Sequence, residues 1–198
     1  MLRPICILLV AGLAAGALAG SALAKPPSDL PEGGALVTEM DAHGHALGPA
    51  HEGRPSARNA ADDTAETGAR TTQGRRSLQS YSGCLQVDAW KNSYSLIGQL
   101  VYRWHQVKYW CWQGNLITSV SVSAYPTNVD PNWYYRGLAS SAANYYLWCC
   151  GISNSGHYSL RQARMENCVL KYGCIGSEYP WVKIWAHGDG SYTYSYGS

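Results

Sequence analysis

Residues 181–198, WVKIWAHGDGSYTYSYGS, read as a β-hairpin. Asp189-Gly190 is a two-residue turn signal, because a type I′ turn needs positive φ at both central positions and Asp and Gly tolerate that best. With this loop Gly188 faces Ser191, His187 faces Tyr192 and Trp185 faces Tyr194. One side of the ribbon then carries Trp181, Lys183, Trp185, His187, Tyr192, Tyr194 and Tyr196. The other carries Val182, Ile184, Ala186, Ser191, Thr193 and Ser195. Period-2 alternation of this kind marks a strand with two unlike faces. The aliphatic side is the expected core face. The aromatic-polar side is left as a candidate ligand-binding surface.

Outward from the hairpin, the composition divides the chain. All 15 Tyr and all 8 Trp lie from Tyr81 onward, and there is no Phe. Residues 25–80 hold no aromatic side chain. A stretch with so little large apolar surface does not offset its ordering entropy, so it is expected to be a disordered leader or pro-segment. Residues 1–24 read as a signal peptide: Arg3, an apolar run, and Ala22-Leu23-Ala24 as the small-x-small cleavage site. No membrane span is expected once it is cleaved. Residues 81–198 are then the folded domain. The leader carries a net charge of −2 and the domain +3, too mild and too scattered for a nucleic-acid partner. Arg75-Arg76 is a dibasic step where the leader could be cut. His43, His45 and His51 are expected to be solvated histidines of that leader.

Six to eight short strands are expected. The segment 82–90 alternates, with Asn92-Ser93 as a turn. The segment 100–112, LVYRWHQVKYWCW, is the longest strand; both its faces mix aromatic and polar groups, so pattern alone does not choose its core side. Gln113-Gly114-Asn115 turns it into a strand over 116–125. Segment 132–138 is a short strand, 139–144 a loop or helical turn, and 145–150, YYLWCC, a buried central strand. Segment 157–170 is taken as a strand because its neighbours are β-like, and 173–179 as a loop. These elements make an all-β fold, a disulfide-stabilised antiparallel β-sandwich preceded by the leader.

Cleavage removes Cys6 and leaves Cys84, Cys111, Cys149, Cys150, Cys168 and Cys174 as the disulfide set of an exported domain. Cys168 and Cys174 are the expected local pair, turned by Tyr172-Gly173. Cys149 and Cys150, adjacent in a strand, would point to opposite faces and take Cys84 and Cys111 as separate partners; a vicinal bridge is the alternative. No metal site is expected, since no C-x₂-C or H-x₃-H spacing accompanies them.

Trp110-Cys111-Trp112-x-Gly114, Trp133-Tyr134-Tyr135-x-Gly137, Cys168, Gly173-Cys174-Ile175-Gly176 and His187-Gly188-Asp189-Gly190-Ser191 together resemble small, uncharacterised exported proteins of actinobacteria. The resemblance spans the domain. It implies export and a disulfide-bearing all-β fold, and it implies no activity.

The domain's acids are Asp88, Asp130, Glu166, Glu178 and Asp189, and its histidines His105, His157 and His187. No G-x-S-x-G, H-E-x-x-H or Walker pattern occurs, and no cofactor is implied. His187-Gly188-Asp189 is better read as turn chemistry than as an acid/base pair. The aromatic surplus is more informative, because every large ring carries an O–H or N–H and suits a surface that is apolar on one side and wet on the other. The expected function is a secreted, non-catalytic binding module. It would contact extracellular carbohydrate, or a protein partner, through the Trp181–Tyr196 face. The alternatives are a secreted hydrolase or toxin-like enzyme freed by leader removal, and a surface protein that self-assembles through the edge of the last hairpin.

Overall fold

A computed structural model describes residues 30–53, 70–74 and 82–198. The signal-like segment, Cys6 and Arg75-Arg76 lie outside the described residues. Among the described residues there is no helix. The strands are β1 (Gly33–Met40), β2 (His51–Glu52), β3 (Arg70–Gly74), β4 (Ser82–Tyr94), β5 (Leu100–Gln113), β6 (Leu116–Thr127), β7 (Trp133–Tyr146), β8 (Gly156–Val169), β9 (Gly173–Glu178), β10 (Trp181–His187) and β11 (Tyr192–Gly197). One sheet has the order β2-β1-β4-β5-β6, and the other β3-β11-β10-β8-β7 with β9 beside β8. All the pairings are antiparallel. The all-β, two-sheet expectation holds.

The segment assigned to a disordered leader is corrected in part. β1 ladders along β4 from Gly33↔Lys91 to Met40↔Cys84. Ala35 and Val37 supply its buried side. Small aliphatics suffice here because the neighbouring strand already provides the aromatic bulk. β3 pairs with β11, so the outer edge of the last hairpin is paired within the chain. Residues 30–53 and 70–74 thus belong to the sandwich.

Other boundaries move for local reasons. β4 runs through Asn92-Ser93, because the Asn92 side chain is used elsewhere: its Nδ2 donates to Pro31 O at 2.8 Å. The reversal falls at Ser95–Gln99, closed by Ser95 N–H to Gln99 O at 2.8 Å. β7 is one long strand, broken in register near Gly137 and Leu138, and it takes in the small polar residues 139–144. The expected buried strand at 145–150 ends at Tyr146. Leu147 and Trp148 are exposed and Cys150 has φ +60°, so these residues form a loop. The strand expected at 157–170 is β8, and the loop expected at 173–179 is the strand β9.

The closing hairpin forms, but not in the expected register. Ala186 pairs with Tyr192, Ile184 with Tyr194 and Val182 with Tyr196. The loop is Gly188-Asp189-Gly190, with His187 N–H donating to Ser191 O at 3.0 Å and Gly190 at φ +81°. A three-residue loop with Gly in the left-handed position replaces the two-residue type I′ turn. Asp189 still does turn work, its Oδ1 accepting from Ser191 N at 2.8 Å. One residue of slip exchanges the faces of a whole strand. Tyr192, Tyr194 and Tyr196 therefore join Val182, Ile184 and Ala186 in the core.

The core lies between the sheets and β5 organises it. Its inward side is Tyr102, Trp104, Gln106, Lys108, Trp110 and Trp112, all essentially buried. Four of these reach across to the facing sheet. Trp104 Nε1 donates to Arg161 O at 3.1 Å, Gln106 Nε2 to Ser159 Oγ at 2.6 Å, Lys108 Nζ to His157 O at 2.5 Å and to Ile184 O at 3.0 Å, and Trp110 Nε1 to His187 O at 3.3 Å. The acceptors Arg161, Ser159 and His157 step along β8 two residues at a time, as the donors do along β5. This gives a physical sense to a core of Trp and Tyr without Phe: the rings fill volume while their N–H groups tie sheet to sheet.

Indoles also lie flat on cross-strand glycines. An ideal Cβ on Gly83 would sit 2.8 Å from Trp112, on Gly34 2.7 Å from Trp90 and on Gly197 2.7 Å from Trp181. Gly83→Ala is expected to lower the unfolding free energy by about 1–3 kcal/mol through overpacking. Urea titration measures this, and an unchanged midpoint would show that Trp112 can yield.

The disulfides are Cys84–Cys111 and Cys168–Cys174. The second is the expected local pair. The first corrects the assignment of Cys84 and Cys111 to Cys149 and Cys150, which are free thiols here. Cys84 and Cys111 are direct cross-strand partners of β4 and β5, whereas Cys149 and Cys150 sit in a loop and not in a strand.

Candidate ligand-binding faces

The outward side of the β10 sheet is built in rows. Register places Trp185 between Thr193 and Tyr158, with Asn144 beyond. The next rows are Ser195–Lys183–Leu160–Ala142 and Gly197–Trp181–Gln162–Ser140. Trp181, Trp185 and Tyr158 are half-buried. The Tyr158 and Trp185 rings are tilted against each other with centroids 6.0 Å apart, and Lys183 Nζ lies 4.7 Å over the Trp181 ring. The face is thus aromatic with polar neighbours. Of the seven residues assigned to it from sequence, Trp181, Lys183 and Trp185 are brought together there. Tyr192, Tyr194 and Tyr196 are not, for the register reason above.

His187 also leaves that face. It is buried at the hairpin end, its Nδ1 is 2.8 Å from Ser191 Oγ, and Trp148 stacks on its ring at 4.1 Å. Burial pushes the His187 imidazole down to about 4, against the pull of Asp189 and with a further push from Lys108. His157, packed edge-on with Tyr145, is pushed down to about 4 by burial and by Lys108. Lys108 itself is pushed down to about 6 by burial, with Arg161 adding to it. Lys108, His157 and His187 are thus three buried bases held largely neutral at pH 7.

The outward side of the β5 sheet carries a grouping the sequence reading did not assemble. One row across four strands is Gly34–Trp90–His105–Tyr125, and the next toward the strand ends is Asn92–Arg103–Thr127. His105 Nδ1 lies 2.9 Å from Asp88 Oδ1 and its Nε2 3.0 Å from Thr127 Oγ1. Tyr125 stacks on the imidazole at 5.2 Å and Trp90 flanks it at 5.9 Å. Arg103 has its guanidinium 5.1 Å over Trp90, and its Nε donates to Asn92 Oδ1 at 2.8 Å. The available signal was register: the turn at 113–115 brings 103–111 opposite 119–127, so His105 and Thr127 become neighbours.

No family model, curated protein or solved structure matches this chain.

The remaining clusters are accounted for by structure. Glu166, Cys168 and Cys174 bring potential ligand atoms within 4.8 Å of one another, but the two sulfurs are bonded to each other and offer no thiolate. Glu166 is held below the usual carboxylate range, chiefly by the bond from Arg136, with Arg164 also beside it. Glu178 accepts from Tyr102 Oη and from Ser93 Oγ; burial and this carboxylate together push the Tyr102 phenol upward. In the loop after β7, Cys149 is raised to about 11, first by burial and then by Cys150.

Proposed function

We propose that the protein is an extracellular binding module that holds a polysaccharide against the outward face of the β10 sheet. The observation that carries this reading is the group of half-buried rings, Trp181, Trp185 and Tyr158, on a face whose other members are small or polar apart from Leu160. Such rings cover the apolar face of a sugar while neighbours bond its hydroxyls. Trp181 and Trp185 are four residues apart on one strand, so at about 3.3 Å per residue their backbones are roughly 13 Å apart. Two platforms at that spacing suit a chain of linked sugars better than a single one. Gln162, Asn144 and Thr193 supply donors and acceptors around them. Two disulfides support an oxidising compartment. The signal-like start and the resemblance to exported proteins support secretion.

Retention on insoluble polysaccharides tests the proposal. Trp185→Ala should weaken it at least tenfold, a loss of about 1.4 kcal/mol, with an unchanged circular dichroism spectrum. Equal retention by parent and variant would remove the platform. Retention by neither, with capture of a soluble extracellular protein that Trp185→Ala loses, would assign the face to a protein partner instead.

A further inference from the structure

We propose that Asp88, His105 and Thr127 form a hydrolytic site for carboxylic esters on the opposite sheet, with Thr127 Oγ1 as nucleophile. The three residues come from three consecutive strands, β4, β5 and β6, and their contacts run in one line at 2.9 Å and 3.0 Å. An ionised carboxylate is an acceptor only, so in the neutral ring Nδ1 carries the proton toward Asp88. Nε2 is then a lone pair, and the contact to Thr127 requires the hydroxyl to donate to it. This is the arrangement in which a base is poised to take the proton of a nucleophile while a carboxylate fixes its tautomer and orientation.

The surroundings hold the relay in place. His105 is only 7 % exposed, clasped between Trp90 and Tyr125, so the ring cannot flip without breaking the row. Thr127 is the last residue of β6, and Asn128 follows in the left-handed region at φ +51°. The chain thus turns away after Thr127, a half-buried residue. Arg103 is the direct cross-strand partner of Thr127, but its guanidinium is turned toward β4, over Trp90 and bonded to Asn92 Oδ1. Trp90 and Tyr125 supply flat apolar surface for the acyl or alcohol part.

The chemistry balances with water as the only co-reactant. Thr127 Oγ1 bonds to the acyl carbon as its proton passes to His105 Nε2. The ester C–O bond breaks and the leaving oxygen takes that proton, releasing the alcohol. Water then adds to the acyl-threonine, giving a proton to Nε2. The Thr127–acyl bond breaks, Oγ1 recovers the proton, and a carboxylic acid leaves. This adds chemistry to a domain whose sequence reads as non-catalytic. It rests on a different sheet from the polysaccharide face, so either can fail alone.

The test uses the full chain with p-nitrophenyl acetate. Acid quenching followed by peptide mass spectrometry should find an acetyl group on Thr127, a measurement that needs no variant. Thr127→Val and Asp88→Asn should each lower the hydrolysis rate about a hundredfold or more, with Thr127→Ser retaining it and circular dichroism unchanged. Acetylation confined to other residues, or a Thr127→Val rate equal to the parent's, would overturn the assignment and leave His105 as a buried histidine with satisfied nitrogens.

Discussion

Replacing Lys108 by methionine is expected to stabilise the protein by about 2–3 kcal/mol at pH 7. Lys108 is fully buried with no carboxylate beside it among the described residues, and its two bonds go to main-chain carbonyls. Its ammonium is pushed down to about 6 from 10.5, chiefly by burial and also by Arg161. Between those two values the unfolded chain binds a proton that the folded chain does not, so stability rises with pH at about 1.4 kcal/mol per unit. At pH 7 the accumulated penalty is about 5 kcal/mol. The two hydrogen bonds return only part of it, since a net bond is worth about 1 kcal/mol. Methionine keeps the length of the stem and fills the same slot. Urea unfolding at pH 7, 8 and 9 decides the matter. That window lies above His157 and His187 and below Tyr192, and the free thiol of Cys149 acts equally on both proteins. The parent should gain about 2–3 kcal/mol more across it than Lys108→Met does. Parallel slopes would mean that Lys108 is charged when folded.

This lysine also shows why β5 defeated a reading by pattern. Its two faces, Val101–Arg103–His105–Val107–Tyr109–Cys111 and Tyr102–Trp104–Gln106–Lys108–Trp110–Trp112, each hold charged or polar groups. The face with Gln106 and Lys108 goes inward because three indoles and a phenol outweigh two polar heads, and the facing backbone offers those heads acceptors. Acceptors of that kind belong to tertiary structure and have no trace in local sequence. The strand itself, its turn at 113–115 and the strand nature of β8 were all legible, because alternation and turn residues are local.

The proposed binding face was legible only up to a single residue of register. Asp189-Gly190 is a good two-residue turn in isolation, but His187–Ser191 closure with Gly190 left-handed also satisfies it, and it buries three tyrosines where the other register would expose them. Burial of that size decides against local turn preference. Trp181, Lys183 and Trp185 kept their side because the aliphatic face of β10 was assigned correctly. The 25–80 stretch was misjudged in part for the converse reason. Counting aromatics measures what a segment can bury alone, whereas β1 needs only Ala35 and Val37 once β4 lies beside it. The same dependence on register hid Cys84–Cys111 and the Asp88–His105–Thr127 line, which are cross-strand neighbours far apart in sequence.

Acid should unfold the protein in a defined window, and the two core histidines should account for most of the loss. His157 and His187 are both pushed from 6.5 to about 4. A base whose folded value is depressed stabilises the fold only while it stays neutral. The stability is complete above 6.5 and is lost as pH falls toward 4. By pH 4.5 each should have cost about 2–3 kcal/mol, a large share of the 5–15 kcal/mol that holds an ordinary domain. The groups facing them compound the effect. Lys108 becomes charged near 6 and repels both, and Arg161 repels His157; Asp189 alone pulls toward His187⁺. Tyr145 and Trp148 cover the rings and keep water from solvating the charge. His157→Phe and His187→Phe should each reduce the difference in urea stability between pH 7 and pH 4.5 by about 2–3 kcal/mol. At pH 7 His157→Phe should cost less than His187→Phe, because His157 Nδ1 has no hydrogen-bond partner while His187 Nδ1 has Ser191. If the loss between pH 7 and pH 4.5 is the same in parent and both variants, it belongs to the carboxylates, and the two histidines are solvated in the folded protein.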